Sequence, residues 1–328
     1  MPPGARRIVT VLIAVVALVA IFSVASDLRD VRARLADFGW WAMAAALALA
    51  LANYAIRFVR WSAYLRVLDI AVPTRESVVV FISGFALSIT PGKVGELVKS
   101  YLLREIRGVP VVKSAPIVIA ERVSDLLALV VLGALGVGAA GAAGSVVALS
   151  AGIIGLGLVV LSWPSLSHRL VDILTLPGFL RRFRDRGHTL YDGIGVLVRP
   201  RPMLVSTILA VAAWGCECTG FWLVLAAFPG THVSLGLATL IYSVTVVAGA
   251  LSFLPGGLGV TELGMLTLLA KLGTGISHGV ATGAVFVTRL CTLWFAVGVG
   301  LLALVLFARR THVSLRLPEQ GDAEAKTA

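Results

Sequence analysis

The chain has 328 residues, 58% of them hydrophobic and 14% charged, with a mean hydropathy of +0.96. One soluble core cannot hide so many long apolar runs, which excludes a soluble or disordered chain, and the continuity of the runs excludes a membrane β-barrel, whose segments alternate. The net charge of +11 reads as Lys and Arg gathered in cytoplasmic loops and not as nucleic-acid binding, because spans leave little surface for a basic groove.

The first apolar run, Ile8–Ala25, follows Arg6 and Arg7. Ser23-Val24-Ala25 resembles a signal-peptide cleavage site, but the run is also about long enough to span. A retained helix is expected, because the symmetry between the two halves of the chain needs it. Asp27–Phe38 balances Arg29, Arg32 and Arg34 against Asp27, Asp30 and Asp37 and suits the membrane surface. Trp40 and Trp41 mark the interface, and a second span runs to about Ile56.

Ser77–Thr90 stops at Pro91-Gly92, and a second piece continues to about Leu103. At about 1.5 Å per residue each piece is near 20 Å long, short of the roughly 30 Å hydrocarbon core, so together they predict a re-entrant hairpin. Spans follow at about Ser114–Ala140 and Gly141–Trp163. The polar stretch to Pro202 carries Arg169, Arg181, Arg182, Arg184, Arg186, Arg199 and Arg201. Met203–Phe228 is the next span. Ser234–Leu254 again ends at Pro255-Gly256-Gly257, with a short continuation to about Leu272, and the last span is about Gly279–Phe307. Ser234–Leu254 is long enough to span, so the second break is open to either reading.

With both termini in the cytoplasm, only Arg29, Arg32, Arg34 and Lys271 of the 28 Lys and Arg fall outside. The expected fold class is all-α integral membrane, with about six full spans and two Pro-Gly-broken re-entrant helical hairpins arranged as an inverted-topology repeat. Residues 8–140 form one half and 141–308 the other, with a basic cytoplasmic loop at 164–202 and a polar tail at 309–328, all in a single polytopic domain. Each half has the order span, span, hairpin, span, and the second starts from the opposite side. Glu96 precedes Arg122 by 26 residues and Glu262 precedes Arg289 by 27. Inverted repeats with broken helices at matching positions mark many transporters, whose sites lie near the midplane.

Ten ionisable residues fall within or beside the apolar segments: Arg57, Lys93, Lys99, Arg122 and Arg289 against Glu96, Glu121, Asp125, Glu217 and Glu262. A central charge costs about 2.5–3.5 kcal/mol on insertion scales, so these groups pair or face water. Glu121, Arg122 and Asp125 have the spacing of one helical face, and Arg289 is a candidate partner for Glu217. Arg57 either joins that structural cluster or snorkels to the interface. A helix starting at Thr90 as N-cap and Pro91 would aim free N–H groups at the membrane centre beside Lys93, which suits a phosphate. Gly92, Gly95, Gly256, Gly257 and Gly259 allow close backbone approach at the two tips. Lys93, Glu96, Arg122, Glu217, Glu262 and Arg289 are therefore the candidate binding and translocation residues. No catalytic motif, metal spacing or cofactor fingerprint is present in the sequence, and Cys216, Cys218 and Cys291 read as packing residues.

Several blocks in order resemble the lysylphosphatidylglycerol synthase transmembrane-region family, also described as flippase-like domain proteins. They are Arg57-Phe-Val-Arg60-Trp61, Thr90-Pro-Gly-Lys-Val-Gly-Glu96, Glu121-Arg122-Val-Ser-Asp125, Leu254-Pro-Gly-Gly-Leu-Gly-Val-Thr-Glu262, and Arg289 in the last span. The resemblance implies a bacterial inner-membrane protein that moves or binds phospholipids or lipid-linked headgroups. The longer synthases add a C-terminal aminoacyl-transferase domain. This sequence ends soon after its last span, so lipid synthesis is not expected of it, and its lipid need not be theirs. Two other readings use the same residues. One is secondary transport of a small polar solute or ion. The other is a non-transporting partner of a cell-envelope enzyme, docking through the basic loop.

Overall fold

The computed structural model describes residues 34–90, 95–137 and 184–311, and these are helical throughout their regular elements. The expected spans at 8–25 and 141–163, most of the amphipathic segment after Asp27, Pro91, Gly92 and Lys93, the first part of the basic loop and the tail after 311 lie outside the described residues.

Helix α1 (Trp41–Val67) has 27 residues, about 40 Å at about 1.5 Å per residue. It continues well past Ile56, the expected end of the span. Arg57 and Arg60 do not terminate it, because both find a carboxylate on a neighbouring helix. Helix α2 (Thr74–Ser83) tightens into a 3₁₀ turn at Gly84–Leu87. There the hydroxyls of Ser88 and Thr90 donate to the carbonyls of Phe85 and Leu87, at 2.9 and 2.7 Å, satisfying groups that a continuing helix would have used. Helix α3 (Val98–Arg107) comes next, packs against α2, and ends at Gly108 in the left-handed conformation.

Helix α4 (Val111–Val137) is as long as α1 but carries Glu121, Arg122 and Asp125 in its middle. Helix α5 (Arg184–Leu197) packs on α4. Helix α6 (Pro200–Ala226) runs along α1, where small side chains let the two approach: Ala42, Ala46 and Ala50 on α1, and Ala210, Ala213 and Gly220 on α6. The amide of Asn53 donates to the carbonyl of Ala213 at 2.8 Å, and the Tyr64 hydroxyl to Ser206 at 2.5 Å, both across this contact.

Helix α7 (Leu235–Leu251) packs on α4 and α6, and joins α8 (Val260–Leu272) through a short broken connection against which it also packs. Helix α9 (His278–Arg289) passes through a π turn at Leu290–Trp294 into α10 (Phe295–Thr311). Helix α10 lies on α2 and on the Gly84–Leu87 turn so closely that a Cβ at Gly300 would collide with the backbone of Ala86.

Three described helices are long and apolar enough to cross a membrane: α1, α6, and the continuous α9–α10 stretch from His278 to Phe307. Helix α4 matches them in length, and its three central charges keep it out of that group by composition.

Candidate functional site

Among the described residues, the interior charges expected to need partners have them. Asp125 on α4 gathers three guanidiniums: Arg60 at 2.7 Å, and Arg57 and Arg122 each at 3.2 Å. Arg122 also reaches Glu96 at 3.0 Å, and Glu96 lies 3.7 Å from Lys99. Lys99 in turn donates to Glu121 at 2.5 Å. A continuous ionic chain thus ties α1, α3 and α4 together around the end of the first break. Arg57 also sits over the rings of Trp214 and Phe85, 5.9 and 6.0 Å from their centres, and Lys99 lies 4.8 Å from the ring of Trp61.

The cluster on α4 is divided between two directions. Arg122 and Asp125 face one another, but Glu121 turns towards Lys99. Arg57 is drawn inward to Asp125 and does not snorkel; its side chain is 11% exposed. The Thr90 hydroxyl accepts the N–H of Gly95 at 2.7 Å, and α3 starts at Val98; the residues that Thr90 is expected to cap, from Pro91 to Lys93, lie outside the described residues. A Cβ at Gly95 would come within 2.5 Å of Leu87, so this close turn requires glycine.

At the second break, Pro255–Gly257 form a 3₁₀ turn and α8 begins at Val260. Gly256, Gly257 and Gly259 have φ values of 60°, 65° and 85°, a region only glycine enters at little cost. Glu262 accepts the N–H of Gly259 at 2.7 Å, half of a capping box, and pairs with Arg289 at 2.6 Å. Arg289 also donates to the carbonyl of Gly256 at 2.9 Å. One arginine on α9 therefore fastens the whole connection. Glu217, in the middle of α6, accepts from the Tyr242 hydroxyl at 2.5 Å.

Some of these groups, Arg57, Glu96, Arg122, Asp125, Glu217 and Arg289, border a cavity of about 300 Å³. Its walls come from α1 (Tyr54, Arg57), the first break (Phe85, Ser88, Thr90, Glu96), α4 (Arg122, Asp125), α6 (Trp214, Glu217), α7 (Tyr242) and α9 (Arg289). Leu251, Phe253 and Leu254 border it as well and are exposed. Lys93, Pro91 and Gly92 lie outside the described residues, so the phosphate subsite expected around them is not part of this geometry. Sequence reasoning missed Arg60, which is 1% exposed, together with Tyr54 and Tyr242. Arg60 lies three residues after Arg57, on the same face of a helix that extends beyond its expected end. The two tyrosines show in the sequence only as hydroxyls inside apolar runs.

Residues 8–300 match the family described as Lysylphosphatidylglycerol synthase TM region. Among curated relatives, a protein named UPF0104 membrane protein from Methanothermobacter thermautotrophicus is 24% identical over 281 residues, covering 77% of this chain and 79% of the relative. Two further matches of the same name and organism are 27% and 28% identical, but they cover only 37% and 31% of those relatives' length. With most of its length matched, and with several helices apolar enough to span, the chain is a multi-pass membrane protein and belongs to the lysylphosphatidylglycerol synthase transmembrane-region family.

Proposed function

We propose that this protein is a lipid flippase or lipid transporter, binding a phospholipid or lipid-linked headgroup in the central cavity and leaving the acyl chains in the bilayer. The observation that carries the reading is the cavity itself: ionisable side chains enclosed by helices from both ends of the chain, with an apolar rim. Its volume of about 300 Å³ equals about ten waters at roughly 30 Å³ each, the scale of a phosphoglycerol headgroup and far less than a diacyl lipid. The exposed Leu251, Phe253 and Leu254 at its edge suit contact with acyl chains.

The two matched pairs, Glu96 with Arg122 and Glu262 with Arg289, support an inverted repeat with a broken connection in each half. On this reading α4 is a further span whose charges are neutralised inside the protein, six spans complete the fold, and both termini lie in the cytoplasm of a bacterial inner membrane. The protein acts by binding and moving its substrate and not by covalent chemistry; membrane lipids are its partners.

The test is translocation of fluorescent phospholipids with anionic, zwitterionic and aminoacylated headgroups in proteoliposomes, with outside quenching as the readout. Wild type is expected to equilibrate at least one headgroup class. Glu96→Gln and Glu262→Gln, checked for folding by size-exclusion profile, are expected to slow it at least tenfold. Failure of folded wild type to move any of these lipids, with or without an ion gradient, overturns the reading and favours transport of a small polar solute.

A further inference from the structure

Among the described residues, positive φ belongs to glycines, save at Asp69 and Phe253. Asp is one of the few side chains that enter this region routinely, whereas a bulky residue there is an outlier. Phe253 has a φ of 54°, at the mouth of a connection that uses glycine for the same need at 256, 257 and 259. The conformation is held from both sides. The Ser252 hydroxyl donates to the carbonyl of Gly249 at 2.7 Å and accepts the N–H of Leu254 at 3.2 Å, so one side chain bridges across Phe253. A strained backbone persists where its surroundings fix it, and such positions gather at ligand clamps.

The ring gives the fold little in return. It is 71% exposed, and it borders the cavity together with Leu251 and Leu254, which are exposed as well. A single exposed apolar side chain is ordinary on a lipid-facing surface; a strained backbone beneath it is not. Glycine at this position would remove the strain and lose little packing, so the ring serves contacts outside the protein's own core. Deeper in the same cavity stand Arg57, Glu96, Arg122, Asp125, Glu217 and Arg289. The wall thus passes from ionic to apolar, the order of a headgroup followed by its acyl chains.

We propose that Phe253 is a specificity-determining residue that makes this cavity select a lipid over a free headgroup. Its ring packs on the glycerol and the first methylenes of the acyl chains where they leave the cavity, while the headgroup sits among the ionic groups. This inference rests on the reading of the cavity as a lipid site and names the place where the tails emerge.

Equilibrium binding separates it from translocation. Dihexanoyl phosphatidylglycerol, dihexanoyl phosphatidylcholine and their deacylated forms, glycerophosphoglycerol and glycerophosphocholine, are titrated into the detergent-solubilised full chain. Wild type is expected to bind at least one lipid about tenfold or more tighter than its deacylated form, the effect of burying about two methylenes. Phe253→Gly is expected to remove most of that preference, leave the Kd of the deacylated form unchanged, and raise the thermal midpoint of unfolding. Phe253→Ala removes the ring but keeps the strain, so it is expected to lose the preference with no rise in midpoint. Equal affinity of wild type for a lipid and its deacylated form would assign the cavity to a soluble phosphodiester and overturn the inference. A preference that survives in either folded variant, a lower midpoint in Phe253→Gly, or no binding of any of the four compounds overturns it as well. In proteoliposomes, failure of all lipid movement alongside a Phe253-dependent preference for the acylated form would reject the flippase reading and leave this one standing.

Discussion

Asp125 concentrates the electrostatics of the first half of the chain in one side chain. It accepts from Arg57 and Arg60 and lies beside Arg122, and it is itself buried. Removing one partner of a buried pair leaves the other charge without compensation and costs about 3–5 kcal/mol. Asp125→Ala is therefore expected to lower unfolding stability in detergent by about that amount, since Arg60 loses its carboxylate in a site 1% exposed. Glu76→Ala makes the contrast. Its bidentate partner Arg107 is well exposed, and water compensates both groups, so the same unfolding assay should register little change. The pairing partners on α4 are partly legible in the sequence, because Arg122 and Asp125 share a helical face. Arg60 is not, because charges after an apolar run look like the end of a span until a buried carboxylate is known to wait for them. Glu217 accepts from a tyrosine on α7, a partner that the sequence shows only as a hydroxyl inside an apolar run, while Arg289 reaches Glu262 and the Gly256 carbonyl.

The broken connections show how an element can be punctuated from within. In the second, three glycines with positive φ turn the chain, and Glu262 then restarts the helix from its third position. Gly257→Ala meets two costs: about 1–2 kcal/mol for a left-handed backbone, and a Cβ 2.8 Å from the Thr261 hydroxyl and 3.1 Å from Gly249. Gly230 has a φ of 76° with open space around it, so Gly230→Ala meets the first cost alone. Thermal unfolding should rank Gly257→Ala clearly below Gly230→Ala, and equal losses would mean that the close contact with α7 is not tight. The Pro255-Gly256-Gly257 spelling announces this break in the sequence. It does not announce that α8 starts after the glycines and not at the proline, because that start depends on where the Glu262 carboxylate can reach.

At the scale of the molecule, the two breaks meet. A Cβ at Gly256 would lie 3.1 Å from Ile89, next to Leu293 of the π turn, and both Gly256 and Thr90 border the cavity. If the cavity is the path, parting these tips is one of its gates. In a background with Cys216, Cys218 and Cys291 replaced by Ala, Ile89→Cys with Gly256→Cys is expected to form a disulfide on mild oxidation, detected by gel mobility. The bridge is expected to stop lipid movement until it is reduced; unimpeded movement in the oxidised protein would remove the tips from the path.

The π turn between α9 and α10 has a consequence for aim. Arg289 and Gly300 are 11 residues apart, and at about 100° per residue an uninterrupted α-helix would return them to nearly one side of the rod. A π turn inserts about one residue of slack and so swings α10 by roughly a quarter-turn relative to α9. Arg289 can then address the second break while Gly300 settles against the first. The closing rod of the fold is re-aimed midway, like a key cut on two sides, and engages both halves of the chain with a single continuous helix.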